Sequence, residues 1–185
     1  MAIFDGHNDL LLNLWLHHRE DPVTAFFAGV ENGHLDYPRI LQGGLAGGLF
    51  ALFVPPQEYI ARMAPQYASQ AWDPLTILWQ QLVILKAICA HDASRARLCL
   101  SAADIERCRQ DKALAMVAHI EGAGGFDAQG DDLQDFYRAG CAASVRSGIS
   151  LIASAAGSPA PFPAARTAGR VLPARASRSS PRPTP

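Results

Sequence analysis

Followed for the spacing of its apolar positions, the chain alternates short runs of strand character with longer runs of helical character. Ile3 and Phe4 open an apolar run that closes on Asp5, Gly6, His7, Asn8 and Asp9, and this reads as a buried strand whose polar residues crowd onto its C-terminal end. Over residues 10–18, Leu11, Leu12, Trp15 and Leu16 recur at helical spacing, so a helix leaves that strand. Residues 19–42 are polar and irregular, with Asp21-Pro22 and Asn32-Gly33 as turn marks. Residues 44–54 then read as a second strand, stopped by Pro55 and Pro56. Its apolar residues fall on both alternating faces, as in a parallel strand covered on both sides.

A weaker helical stretch over residues 58–69 is interrupted at Pro65. The strongest helix follows: Asp73 caps it, Pro74 suits its first turn, and Leu75, Leu78, Trp79, Leu82, Leu85 and Cys89 recur at three and four. Ser101 and Asp104 form a capping box for a helix that runs to about Gln110. Residues 113–120 read as a third strand with Glu121 at its end and Gly122, Gly124 and Gly125 behind it. Asp131 and Asp132 can cap a third helix over residues 133–139, with Phe136 and Tyr137 as its apolar contacts. Strand and helix in alternation imply right-handed crossovers and a parallel sheet, the α/β class. In such folds sites gather at the C-terminal ends of strands, which is where His7, Asp9 and Glu121 fall.

Composition divides the chain. From Cys141 onward 32 of 45 residues are Ala, Ser, Pro or Arg, and Asp, Glu, Lys, His, Asn and Gln are absent. All 17 acidic residues therefore precede Cys141, together with 10 of the 16 basic ones. The expected organisation is an α/β part over residues 1–140 and a disordered tail over residues 141–185, since such a segment has too little periodic apolar content to offset the entropy of ordering. Two origins fit the abrupt change: a shifted reading frame near codon 141, or a genuine tail on a short protein. The six arginines of the tail are spread out without interleaved aromatics, so nucleic acid is not an expected partner.

The charge balance of −1 excludes a strong general attraction for polyanions. Met1-Ala2-Ile3-Phe4-Asp5 lacks the basic and apolar regions of a secretory signal, and the apolar run over residues 43–56 is too short to cross a bilayer. A cytoplasmic protein with no membrane partner is expected. Cys89, Cys99, Cys108 and Cys141 form no close pair in sequence, so reduced thiols packed as small apolar groups are expected and a cysteine zinc site is not.

The chemistry centres on His7 and Asp9. Two apart on a strand they share a face, and an imidazole beside a carboxylate can hold a divalent metal such as zinc. A plainer alternative is that they only hydrogen-bond each other or cap a turn. His17, His18 and His34 lie in polar surroundings and are expected to face solvent.

Asp5-Gly6-His7-Asn8-Asp9-Leu10 resembles the opening motif of the membrane dipeptidase family, peptidase family M19. Gly43-Gly44-Leu45-Ala46-Gly47-Gly48-Leu49-Phe50-Ala51 is similar to that family's second strand, and His119-Ile120-Glu121-Gly122-Ala123 to its Ile-Glu-Gly segment. The three pieces keep the family's order over residues 1–140. The resemblance implies the N-terminal part of a (β/α)8 barrel of the TIM type. It further implies two zinc ions, with His7 and Asp9 on one of them and Glu121 bridging both, and hydrolysis of dipeptides by a metal-activated water.

No histidine or acid follows residue 140, so the family's later histidine ligands, substrate-binding residues and catalytic aspartate have no counterpart here, and no catalytic residue is assigned. Three strands also cannot close an eight-stranded barrel, and the third would offer an open edge for self-association. A zinc dipeptidase, truncated and inactive as written, is the first expectation. A non-catalytic α/β fragment that binds or is completed by a partner is the alternative.

Overall fold

The computed structural model describes residues 2–122, 126 and 131–145. Five parallel strands form one sheet: β1 (Ile3–Asn8), β2 (Leu45–Phe53), β3 (Ala96–Leu98), β4 (Leu114–Glu121) and β5 (Cys141–Val145). β1 pairs with β2, β2 with β4, and the far edge of β4 is shared end to end by β3 and β5. Apart from the three-residue β3, each strand lies beside the next in sequence, with helices between them. That one-directional order is the winding of a (β/α) barrel; a doubly wound sheet reverses its order partway.

Among the described residues seven α-helices accompany the sheet: α1 (Leu10–His17), α2 (Pro22–Ala28), α3 (Tyr37–Gly43), α4 (Gln57–Met63), α5 (Pro74–His91), α6 (Ala102–Asp111) and α7 (Asp131–Arg138). The main core lies between one face of the sheet and α1, α2 and α5, with Trp15, Phe26, Phe50, Leu52, Leu82 and Leu85 fully buried. Alternate residues of β4 divide between the two faces. Leu114, Met116, Ala118 and Ile120 enter this core, while Ala113 just before the strand, Ala115 and Val117 meet Cys99 and Cys108 in a smaller cluster under α6. α5 is long and apolar enough to cross a membrane by length and composition, yet its Ile77, Leu78, Leu82, Leu85 and Ile88 are packed into this core.

One side chain ties α5 to the sheet. Gln81 is wholly buried; its carbonyl accepts the Phe53 N–H at 2.9 Å and its amide donates to the Phe53 carbonyl at 2.8 Å. It closes the end of β2 as another strand would, since an unpaired buried amide is costly.

Several expectations are corrected. β1 is not buried: Ile3 and Phe4 are 52% and 44% exposed, because β1 has a partner on one edge only among the described residues. The stretch over residues 19–42 holds α2 and α3, capped by Asp21, which accepts from the Thr24 N–H at 3.1 Å, and by buried Asp36, which accepts from the Arg39 N–H at 2.8 Å. Both carboxylates act as Asp73 does, which accepts from the Thr76 N–H at 2.8 Å, and each helix has proline in its first turn.

The third expected strand is β4, and it is central, flanked by β2 on one side and by β3 and β5 on the other. Cys141, where the composition changes, opens β5, so the chain stays in the sheet through Val145. The remainder of the proposed tail, residues 146–185, lies outside the described residues. His18 is half-buried, with its Nε2 enclosed and without a partner; the neighbouring Arg19 guanidinium lies over Trp15, Tyr67 and Trp72 at 4.1, 4.1 and 4.4 Å, which closes that end of α1. His17 and His34 are exposed, as expected.

Candidate metal centre

The site stands where β1 and β4 end. In β1, Asp5 pairs with Gly48 and Asn8 with Phe50, so three steps of one strand run beside two of its neighbour. The extra residue makes a β-bulge at Gly6 and His7, and bulges re-aim side chains. Simple alternation is therefore not what joins His7 to Asp9. Asp9 lies beyond the strand, at the cap position of α1, with φ −101° and ψ 26°.

Asn8 holds this junction. Its amide donates to Asp5 Oδ2 at 3.0 Å and to the Leu49 carbonyl of β2 at 3.3 Å, and its Oδ1 accepts the Leu10 N–H at 3.3 Å. Asp5 also accepts the His7 N–H at 3.3 Å. Because Asn8 serves the first turn of α1, Asp9 makes no capping hydrogen bond, and its carboxylate is left for His7.

Glu121 comes from the other strand. It is the last residue of β4, with its side chain 26% exposed, and Gly122 at φ +85° turns the chain away behind it. Between β1 and β4 runs β2, which packs closely on both. A Cβ added to Gly47 would stand 2.6 Å from the Ala115 carbonyl oxygen and 2.9 Å from the Phe4 ring.

His7 Nε2 lies 3.6 Å from Asp9 Oδ1 and 3.6 Å from Glu121 Oε2, and ligand atoms of the three all fall within 4.8 Å of one another. At 3.6 Å these groups stand beyond hydrogen-bonding distance and face each other without bonding. Donors around a tetrahedral zinc with bonds of about 2.1 Å stand roughly 3.4 Å apart. The two 3.6 Å separations from His7 suit donors to one small divalent ion better than they suit hydrogen bonds. One imidazole nitrogen with carboxylate oxygens is a donor set that zinc and neighbouring transition metals accept.

One residue beside the site lay in the sequence motif without being singled out there. His119, two before Glu121 on β4, shares its face; its ring centre is 5.6 Å from that of His7 at 82°, edge to face. Only 3% of His119 is exposed, and its Nδ1 is enclosed with no partner. Burial, and after it the neighbouring His7, pushes its pKa below the usual histidine value. A histidine on an otherwise apolar strand face was the available signal.

A parallel sheet wound in one direction thus brings an imidazole and two carboxylates together where two of its strands end. The family model of the membrane dipeptidases, peptidase family M19, matches residues 1–158, and the chain belongs to that family.

An uncharacterised protein of the pqqA 5′ region of Klebsiella pneumoniae is 76% identical over 68 residues, 37% of this chain and 25% of that protein. An uncharacterised protein of the PQQ-III 3′ region of Acinetobacter calcoaceticus is 37% identical over 146 residues, covering 76% of this chain and 46% of the relative. Among solved structures, a metallo peptidase from Rhodobacter sphaeroides, liganded with a phosphinate mimic of the dipeptide L-Ala-D-Ala, superposes with a TM-score of 0.67 at 29% identity, over 78% of this chain and 44% of that one. The chain thus spans under half the length of these relatives.

Proposed function

We propose that His7, Asp9 and Glu121 hold a divalent metal ion, zinc by donor chemistry, and that the site serves hydrolysis of a dipeptide. The observation that carries this reading is the convergence of the three donors from two strands at non-bonded distances that suit an ion. Family membership supplies the reaction class. A zinc ion polarises a peptide carbonyl and acidifies a water molecule, so hydroxide is available near neutral pH.

The residues divide the work. Asp9 and Glu121 would lower the charge of the centre and offer oxygens, and a carboxylate such as Glu121 has two of them to offer. His7 donates through Nε2, the atom turned to both carboxylates. Asn8 and Asp5 fix the bulge that aims it. Three donors suffice for one ion with an open position, whereas two ions need more. Where the reaction needs two ions, three donors leave both short of ligands, which gives a second reading, in which the chain binds metal without turning over substrate.

The test is metal content together with turnover. Purified 185-residue protein is dialysed with zinc, freed of excess, and assayed by elemental analysis and against Gly-D-Ala with and without a chelator. About one zinc or more per chain, lost in Glu121→Gln with the fold intact, is expected. Chelator-sensitive hydrolysis sinks the non-catalytic reading, and a chain that retains no zinc sinks the metal assignment.

A further inference from the structure

We infer that His119 is a fourth donor of this metal centre, acting through an imidazole nitrogen. The inference rests on the proposed metal site and adds to it a residue whose position on β4 is otherwise unexplained.

The first argument is cost. His119 is more than nine-tenths buried, and its Nδ1 is enclosed with no hydrogen-bond partner. A buried polar atom left unpaired costs about 1–3 kcal/mol, which a leucine or phenylalanine of similar size would avoid. The residues on the same face below it, Ala115 and Val117, are apolar, so this face tolerates nothing polar until the site begins. A nitrogen kept there at a cost has its partner in something the site binds.

The second argument is place. His119 stands one side-chain step below Glu121 on the same face of β4. In β2 the residue in register with it is Ala51, whose methyl group leaves the space above it to longer side chains. His7 reaches across from β1 into contact with the His119 ring.

The third argument is the geometry of the pair. Two imidazoles bound to one ion through bonds of about 2 Å have ring centres on the order of 5–6 Å apart. The observed separation is 5.6 Å with the planes nearly perpendicular. His7, Asp9 and Glu121 form the group of converging ligand atoms, and the His119 ring stands edge to face against that of His7. With His119 the donor set would become two imidazoles and two carboxylates.

The experiment is a cobalt(II) titration of the full chain, read by visible absorption and by competition with a chromophoric chelator. Wild type, Glu121→Gln, His119→Phe and His119→Gln are compared, with thermal melts of the metal-free proteins as the control on folding. His119→Phe keeps the ring, its burial and the contact with His7 but has no nitrogen.

If His119 is a donor, His119→Phe weakens cobalt binding by about tenfold or more and changes the visible bands, while melting at or above the wild-type temperature. His119→Gln, which restores a polar donor, recovers part of the loss. His119→Phe that binds cobalt with wild-type affinity and spectrum overturns the inference, because ring packing alone then explains the residue. A wild-type chain with no cobalt signal fails the underlying metal site instead. Should His119→Phe fold poorly, His119→Gln decides: an unchanged cobalt spectrum and affinity with it also overturns the inference.

Discussion

β1 and β4 carry the two halves of one site and are built in opposite ways. β4 is enclosed from Leu114 to Ile120, hydrogen-bonded on both edges, and delivers Glu121 from a rigid base. β1 has a partner on one edge among the described residues, exposes Ile3 and Phe4, and delivers His7 from a bulge. A strand fixed by its neighbours positions a donor through packing; an edge strand must do so through its own polar side chains. Asp5 and Asn8 supply that polar scaffold, and nothing equivalent is needed beside Glu121.

The largest blow to this arrangement is expected where both strands meet β2. Gly47→Ala places a Cβ 2.6 Å from a backbone oxygen of β4 and against the Phe4 ring of β1, so the sheet must shift. A loss of roughly 2–3 kcal/mol in urea unfolding is expected, and metal affinity falls with it. An unchanged midpoint would mean that β2 does not brace the two strands against each other.

Asn8→Ala separates the halves. It removes three hydrogen bonds around the bulge and should cost about 1–2 kcal/mol. Amide exchange is expected to quicken in β1 and the start of α1, while β4 keeps its protection. Equal acceleration in both strands would erase the contrast between them.

The smallest effect belongs to the helix behind β4. The Thr76 hydroxyl and N–H bonded to Asp73 hold its carboxyl below the usual value, so the stabilisation it gives is present above the unfolded pKa of about 3.9 and is lost as pH falls through the lower folded one. Asp73→Asn should lower the melting temperature slightly at pH 7 and match wild type near pH 2. A difference that persists at pH 2 would point to lost cap geometry rather than lost charge. Neither pH should alter the exchange contrast between β1 and β4.

What the chain revealed of itself before its structure follows from these physics. α5 was legible because Asp73 caps a helix of eighteen residues, opening on Pro74, with consistent apolar spacing. Asp21-Pro22 carries the same start signal, yet α2 has seven residues, too few for a period to show, and passed for a turn. β3, at three residues, has no pattern at all. His7, Asp9 and Glu121 were readable from their places at the ends of apolar runs. The bulge that aims His7 was not, because it is a relation between β1 and β2. His119 was in view as a letter of the motif, but its burial and its empty nitrogen belong to the folded state.

The order β1, β2, β4 also brings together residues that lie far apart in sequence. An ion gripped by His7 and Glu121 closes a loop of roughly 114 residues, and loops of that size carry several kcal/mol of chain entropy in the unfolded state. Such a clasp acts on the coil as well as on the chemistry. With the proposed ion bound, it would discourage unravelling from β1 and make metal occupancy a component of folding stability. Stripping the ion would then loosen the first strand before any substrate is missed.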